Sequence, residues 1–183
     1  GVYHANSGTI WLEGNEIRPK NTAHAQQLGI GTVYQEVNLC TNLTIGENVM
    51  LGHEVRGPLG INWKKTYEKS KKFLAQMGLE HLDPKAPLSS ISIAMQQLVA
   101  IARAMVIDAK VLILDEPTNH LDVYMVEFLE ELILSENYTL IFISHDRYFI
   151  DRIATRCVEI DDAKLRSFRG GYESYLSQKI GRA

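Results

Sequence analysis

Cysteine is scarce in this sequence, with only Cys40 and Cys157 among 183 residues. The two lie in different segments, and neither is near a second pair of metal ligands. We therefore expect neither a disulfide framework nor a zinc site, and the cysteine usage is compatible with a reducing cytosol.

Long apolar runs and a large excess of charge are also missing. No stretch approaches the roughly 20 apolar residues that a membrane span needs, and the start lacks the pattern of a signal peptide. A net charge of −3 and a pI near 6.1 give no electrostatic reason to expect direct DNA binding. The sequence begins at Gly1 rather than at a methionine, which leaves open whether this is a natural start.

What the sequence does contain is an alternation of strand and helix patterns. Val111–Leu114 is a continuous apolar run, which is typical of a strand covered on both faces of a parallel sheet, and Tyr138–Ile143 repeats that pattern. Helices between buried strands indicate an α/β fold. Shorter strands are predicted at 9–12, 30–34, 157–160 and 164–168.

Polar capping residues mark the predicted helix starts. Thr44 and Glu47 have the spacing of a capping box, and Asn21, Asn62 and Ser92 each precede a helical pattern. The helix after Ser92 is apolar around most of its circumference, so we expect it to be largely buried. We expect one domain, with a sheet core at 1–43 and 108–168, a helical insertion at about 44–107, and a C-terminal helix and tail at 169–183.

Two adjacent acids follow the first long apolar strand. The carboxyl ends of parallel strands are where α/β proteins bind ligands. Asp115 would hold Mg²⁺ through water there, and Glu116 would polarise a water for attack on a phosphoryl group. Taken alone, the pair is also compatible with exposed acids in a turn after a core strand.

Two other predicted strands end on polar residues at the same edge of the sheet. His145 follows the strand at 138–143, and Gln35 follows the strand at 30–34. The histidine would contact a γ-phosphate, and the glutamine amide would bridge a metal and the attacking water. Each residue alone has a structural explanation, and only its combination with the two acids favours a catalytic role.

The order of these motifs resembles the ABC-type ATPase family over essentially the whole chain. Gln35, Ser92-x-x-x-Gln96-Gln97, LILDEPT, Leu121-Asp122 and Ser144-His145 follow one another as in that family. The resemblance implies a P-loop NTPase-like α/β fold, with a mostly parallel sheet and a helical subdomain. It also implies ATP and Mg²⁺ as cofactors, and ATP hydrolysis by a head-to-tail dimer.

The resemblance assigns the site residues in three groups. The catalytic group is Glu116, His145 and Gln35. The metal group is Asp115, again with Gln35. The nucleotide-binding group comprises Ser92, Ala94, Gln96 and Asp122.

The sequence departs from the family pattern in two places. None of its 13 glycines is followed by lysine, so the phosphate loop G-x-x-x-x-G-K-[ST] does not occur. Because that loop supplies amides and a lysine to the phosphates, we expect the phosphate-loop strand to be absent and the domain to be truncated at its N terminus. Very weak Mg-ATP binding, no meaningful turnover and self-association through unpaired strand edges should follow. In the signature segment, Ile93-Ala94-Met95 replaces Gly-Gly-Gln, which should hinder close approach of the backbone to a phosphate.

The two halves of the chain resemble different branches of the family. Residues 1–117 resemble the ATP-binding subunit of bacterial sugar importers, close to the galactofuranose type. Residues 119–179, with NHLD, SHDRYFIDRIATRCVEID and GGYESYL, resemble ABC-F translation factors. We interpret this as a fusion of two lineages, with a single divergent ABC protein as the alternative.

The function implied by the resemblance is ATP binding and hydrolysis, coupled to sugar import or to ribosome-associated work. A permease or a ribosome is the implied partner, and the cytoplasm, or the inner face of the membrane, the implied location. The alternative is a folded fragment without catalysis, or a module that only docks on a partner.

Overall fold

The computed structural model describes residues 3, 5–35, 38–107, 109–135 and 138–181. The chain divides into two compact units. The first comprises Gly1–Leu114 and Tyr138–Ile141, and the second comprises Asp115–Asn137 and Phe142–Ala183. The expected single domain with a helical insertion stays a prediction.

The strands are β1 (Ile10–Leu12), β2 (Asn15–Ile17), β3 (Ile30–Val33), β4 (Arg56–Gly57), β5 (Gly60–Ile61), β6 (Val111–Asp115), β7 (Thr139–Ile143), β8 (Arg156–Asp161) and β9 (Lys164–Arg169). The helices are α1 (Thr22–Gln27), α2 (Ile45–Val49), α3 (Trp63–Gln76), α4 (Ile93–Met105), α5 (Val123–Ser135), α6 (Arg147–Ile153) and α7 (Tyr172–Ile180). None of the helices in the described ranges is both long enough and apolar enough to cross a membrane.

A three-stranded sheet has the order β3-β6-β7. β3 and β6 run parallel, with Ile30 opposite Val111 and Val33 opposite Leu114. Parallel strands need long crossover connections, and here the segment between β3 and β6 contains α2, α3 and α4. The α/β architecture expected from the alternating patterns is confirmed.

The first unit buries its core between short helices whose starts are fixed by side chains. The Thr44 hydroxyl accepts the Glu47 amide, and the Glu47 carboxylate accepts the Thr44 amide, which completes the predicted capping box. A Cβ at Gly46 would lie 2.8 Å from Ser70 Oγ and 2.9 Å from the Pro84 carbonyl, so only glycine lets α2 approach this close to its neighbours. The most deeply buried side chains of this core include Ile45, Val49, Leu74, Met77, Leu88, Leu98 and Ile101.

The second unit is held by aromatic packing and by a buried carboxylate of α5 that is paired with an arginine. Phe149 of α6 is fully buried and packs edge-to-face on Phe142, with ring centroids 5.2 Å apart. Glu130 of α5 is buried and accepts Arg152 Nε at 2.7 Å. β8 and β9 form an antiparallel hairpin.

The prediction that the apolar run at 138–143 is covered on both faces is wrong. Ile141 and Ile143 of β7 are 53% and 61% exposed, whereas Leu112 and Leu114 of β6 are buried. Phe142, which points to the opposite face of β7, packs on Phe149 of α6. Apolar composition predicts a strand, but which faces are covered depends on distant parts of the chain.

Candidate active site

Glu116 directly follows β6 and takes an unusual backbone conformation. Its φ is +47°, in the left-handed region that residues other than glycine seldom adopt. Its amide donates to the Ile143 carbonyl at 2.9 Å, which ties the end of β6 to the end of β7. The chain therefore turns sharply at the carboxylate that the sequence singled out.

The Glu116 carboxylate is buried against His145. Its side chain is only 8% exposed, and Oε2 accepts the His145 backbone amide at 3.2 Å. Oε1 lies 3.3 Å from His145 Nε2, whose side chain is 96% exposed. A desolvated carboxylate fixed by an amide on one oxygen keeps the other oxygen available to a proton donor.

A tight turn connects Glu116 to α5. The amide of Asn119 donates to the Glu116 carbonyl at 3.2 Å, and the amide of Leu121 donates to the Thr118 carbonyl at 3.2 Å. Asp122 Oδ1 accepts the Met125 amide at 2.9 Å, as the capping residue of a helix does. Asp122 thus has a structural role, and its predicted contact with nucleotide stays a prediction.

The residue after His145 caps the next helix, a feature that the strand pattern alone did not show. Asp146 Oδ1 accepts the amides of Tyr148 and Phe149 at 3.0 and 3.2 Å and so caps α6, which begins at Arg147. The Ile143 carbonyl and the His145 amide are the two backbone groups that orient Glu116, and sequence reasoning missed both. An acid directly after Ser144-His145 is the signal that could have indicated the turn.

Four other predicted site residues lie in the first unit. Gln35 is exposed, two residues beyond the end of β3. Ser92 caps α4 by accepting the Met95 amide at 3.2 Å, and Gln96 Nε2 donates to the Ile91 carbonyl at 3.1 Å. Ala94 lies in the same first turn, so the structure brings the signature residues together at one helix start. Their contact with nucleotide stays a prediction.

Asp115 suits a magnesium ion that is shared with a substrate. No group of three or more His, Cys, Asp or Glu residues that could hold a metal exists within the described residues. Mg²⁺ is commonly bound by one or two carboxylates, waters and substrate phosphates rather than by an all-protein cage. The partly exposed carboxylate of Asp115, at the end of a parallel strand, fits that arrangement.

The fold and these motifs define a class of protein, and the match to a family agrees with it. Residues 1–119 match the ABC transporter family. Since that match covers more than half of the chain, the protein belongs to the ABC transporter family.

Two curated relatives illustrate its place in that family. The chain is 61% identical over 174 residues to the fructose import ATP-binding protein FruK of Bifidobacterium longum, a match covering 93% of this chain and 32% of the relative. It is 51% identical over 178 residues to the galactofuranose transporter ATP-binding protein YtfR of Escherichia coli, covering 95% of this chain and 35% of the relative. The chain thus spans about a third of the length of these relatives.

Solved structures share the fold at low sequence identity. The ABC transporter component CbiO1 of Clostridium perfringens superposes with a TM-score of 0.74 at 24% identity, over 100% of this chain and 73% of that one. The ATP-binding cassette MJ0796, solved as a dimer with ADP and phosphate, superposes with a TM-score of 0.70 at 23% identity, over 90% and 74%. The ABC-ATPase fold class is therefore confirmed, while the absence of the phosphate-loop strand stays a prediction.

Proposed function

We propose that this chain is part of the ATP-binding protein of a sugar importer, and that it carries the water-activating carboxylate of ATP hydrolysis. The observation that carries the proposal is the buried Glu116 carboxylate, held by the His145 amide beside the exposed His145 ring. The two relatives are named for fructose import and for galactofuranose transport, and these names support a sugar as the transported substrate.

Glu116 acts as the general base in this proposal. The His145 amide fixes Oε2, so Oε1 is positioned to accept a proton from the water that attacks the terminal phosphoryl group of ATP. The exposed His145 ring lies beside Oε1 and would stabilise the charge on that phosphoryl group. By the family resemblance, Asp115 and Gln35 would hold Mg²⁺, which would neutralise phosphate charge. Ser92, Ala94 and Gln96 contact nucleotide across a dimer, and Asp122 orders the turn.

The 183-residue chain contains no phosphate-loop motif, so we expect it to bind Mg-ATP very weakly and to show no meaningful turnover. Calorimetric titration with Mg-ATP tests this expectation. Micromolar binding that Asp115→Ala or His145→Ala abolishes would show that the chain holds nucleotide without the motif.

The proposed base is tested in a fusion that supplies the motif. The segment that precedes the aligned region in the Bifidobacterium relative is joined to Gly1, and ATPase turnover is measured. Glu116→Gln should lower kcat by at least about 100-fold, since it removes the general base, and leave nucleotide binding intact. Glu131→Gln, an exposed acid of α5, is the matched control and should leave kcat unchanged. An unchanged turnover rate in the fusion with Glu116→Gln would show that Glu116 is not the general base.

The second candidate is a fusion of importer and ABC-F lineages with a role at the ribosome. Its support is the motif resemblance from Asn119 onward. The importer alignment extends over 93% of the chain at 61% identity, which favours a single importer origin. Cosedimentation with ribosomes in Mg-ATP separates the two, and we expect the chain to remain in the supernatant.

Two partners follow from the importer proposal: a membrane permease on the cytoplasmic face, and a second copy of the chain. The half-exposed Ile141 and Ile143 on β7 support self-association. Sedimentation equilibrium of the Ile141→Lys, Ile143→Lys double variant should show a smaller average mass than the parent chain. An unchanged mass would exclude this strand as the contact.

A further inference from the structure

The hairpin formed by β4 and β5 presents an apolar tip to solvent. Leu59 at the tip is fully exposed, and Gly60 beside it has a φ of +115°, which only glycine adopts easily. The two strands pair through Arg56 with Ile61 and Gly57 with Gly60. A turn that requires glycine and projects a leucine into water has no packing explanation within the described residues.

The base of this hairpin is anchored firmly to α3. The Asn62 amide donates to the Val55 carbonyl at 2.7 Å. The Val55 amide donates to the hydroxyl of Thr66, a fully buried residue, at 3.0 Å. The tip is therefore held in a fixed position rather than on a loose loop.

The apolar exposure continues from the tip towards the start of α3. Ile61 and Trp63 are 42% and 44% exposed, and the Trp63 ring lies 6.1 Å from the Tyr67 ring. Tryptophan is enriched where proteins meet the interfacial region of a bilayer, because its ring is apolar and its indole N–H is polar. We call Leu59, Ile61 and Trp63 the apolar tip.

The segment that contains the apolar tip and most of α3 carries a strong positive charge, although the whole chain is acidic. The chain has a net charge of −3, yet the segment 56–72 has six cations and a single acid, Glu68. Thr66, Ser70 and Leu74 face the core, so the lysines of α3 lie on its solvent side. No ion pair neutralises any of these cations within the described residues. They are Arg56, Lys64, Lys65, Lys69, Lys71 and Lys72.

We propose that the apolar tip and these cations bind the surface of an anionic lipid bilayer. Apolar side chains that enter the headgroup region, with cations facing anionic lipids, are the two components that interfacial binding combines. Each component alone is weak, and here the hairpin leads directly into the start of α3, where Lys64 and Lys65 follow Trp63. Nucleic acid would use the lysines but would leave the exposed Leu59 without a role.

The test is flotation of the full 183-residue chain with vesicles of phosphatidylcholine, with and without phosphatidylglycerol. We expect binding only to the anionic vesicles, weakening as salt screens the charges. The Lys64→Gln, Lys65→Gln double variant should lower the partition coefficient by about 30-fold. Lys64→Arg with Lys65→Arg keeps the charge and should retain binding. Leu59→Ser should lower the partition coefficient by about fivefold.

Matched controls use exposed residues elsewhere in the chain. Lys20→Gln with Lys164→Gln removes two other lysines, and Leu165→Ser removes another exposed leucine. Both should bind like the parent chain. Equal binding to neutral vesicles, equal losses in the controls, or tighter binding to polyuridylate than to anionic vesicles would each overturn the proposal.

Discussion

The two compact units differ in how they bury apolar side chains. In the first unit, α2, α3 and α4 enclose a core of fully or almost fully buried side chains, such as Ile45, Leu74 and Leu98. The second unit relies on Phe149 and Leu129, while Val158, Ile160 and Leu165 of its hairpin remain exposed. The candidate catalytic pair Glu116 and His145 lies in the unit with the smaller core. Regions that open most easily are those with few buried apolar contacts.

The largest expected effect comes from the aromatic core of the second unit. Phe149→Ala should lower the free energy of unfolding by about 3–5 kcal/mol, because it removes a fully buried ring and leaves a cavity. Tyr148→Ala, at the adjacent and 89% exposed position, should change it by less than about 0.5 kcal/mol. Urea unfolding measures both variants.

Hydrogen exchange then tests whether the difference between the units is real. In Phe149→Ala, the amides of α5 and α6 should lose protection while those of α4 keep theirs. Leu98→Ala should destabilise the first unit by about 2–5 kcal/mol. Uniform loss of protection in both variants would show that the two units unfold as one.

A smaller effect should follow from unpairing the buried carboxylate of α5. Arg152→Ala leaves Glu130 buried without its partner, which should cost about 1–2 kcal/mol, because Arg152 is itself more than half exposed. Arg156→Ala, an exposed cation of β8, is the control and should be nearly neutral. Equal losses in the two variants would assign the effect to net charge instead of to the ion pair.

The same pair predicts a dependence of stability on pH. Burial raises the pKa of Glu130 above its usual range, and the nearby Arg152 opposes the rise. A raised pKa in the folded state contributes stability that is full below the unfolded pKa and is lost as pH rises through the folded pKa. Relative to Glu130→Gln, the parent chain should therefore lose stability as pH rises from below about 4.3. The loss should be greater in Arg152→Ala, and urea unfolding over a pH series measures it. A gain of stability relative to Glu130→Gln as pH rises would contradict the raised pKa assigned to Glu130.

The smallest effect is expected at the capping box of the first unit. Thr44→Ala removes the hydroxyl that accepts the Glu47 amide, and should cost about 1 kcal/mol. Thr44→Ser keeps the hydroxyl and should restore most of that stability in the same urea experiment. A loss as large as that of Leu98→Ala would mean that the short α2 supports far more of the unit than its length suggests.

Local signals in the sequence were reliable guides to the helices. Thr44, Asn62 and Ser92 each accept a backbone amide at the predicted helix start, because a cap involves only residues three positions apart. The acids after β6 were likewise found from the apolar strand that precedes them. Burial of β7 could not be predicted in this way, since it depends on which distant elements cover each face.

The sequence by itself determined most of the strand and helix order, although not β2 or the β4–β5 hairpin, together with the family and the residue types of the candidate site. Those features follow from short-range periodicity, capping and motif order. Only the tertiary structure decided that Glu116 is buried, that its carboxylate accepts the His145 amide, and that Leu59 is left in solvent. The physical reason is that burial and hydrogen-bond partners depend on residues far apart in the chain, which only folding brings into contact.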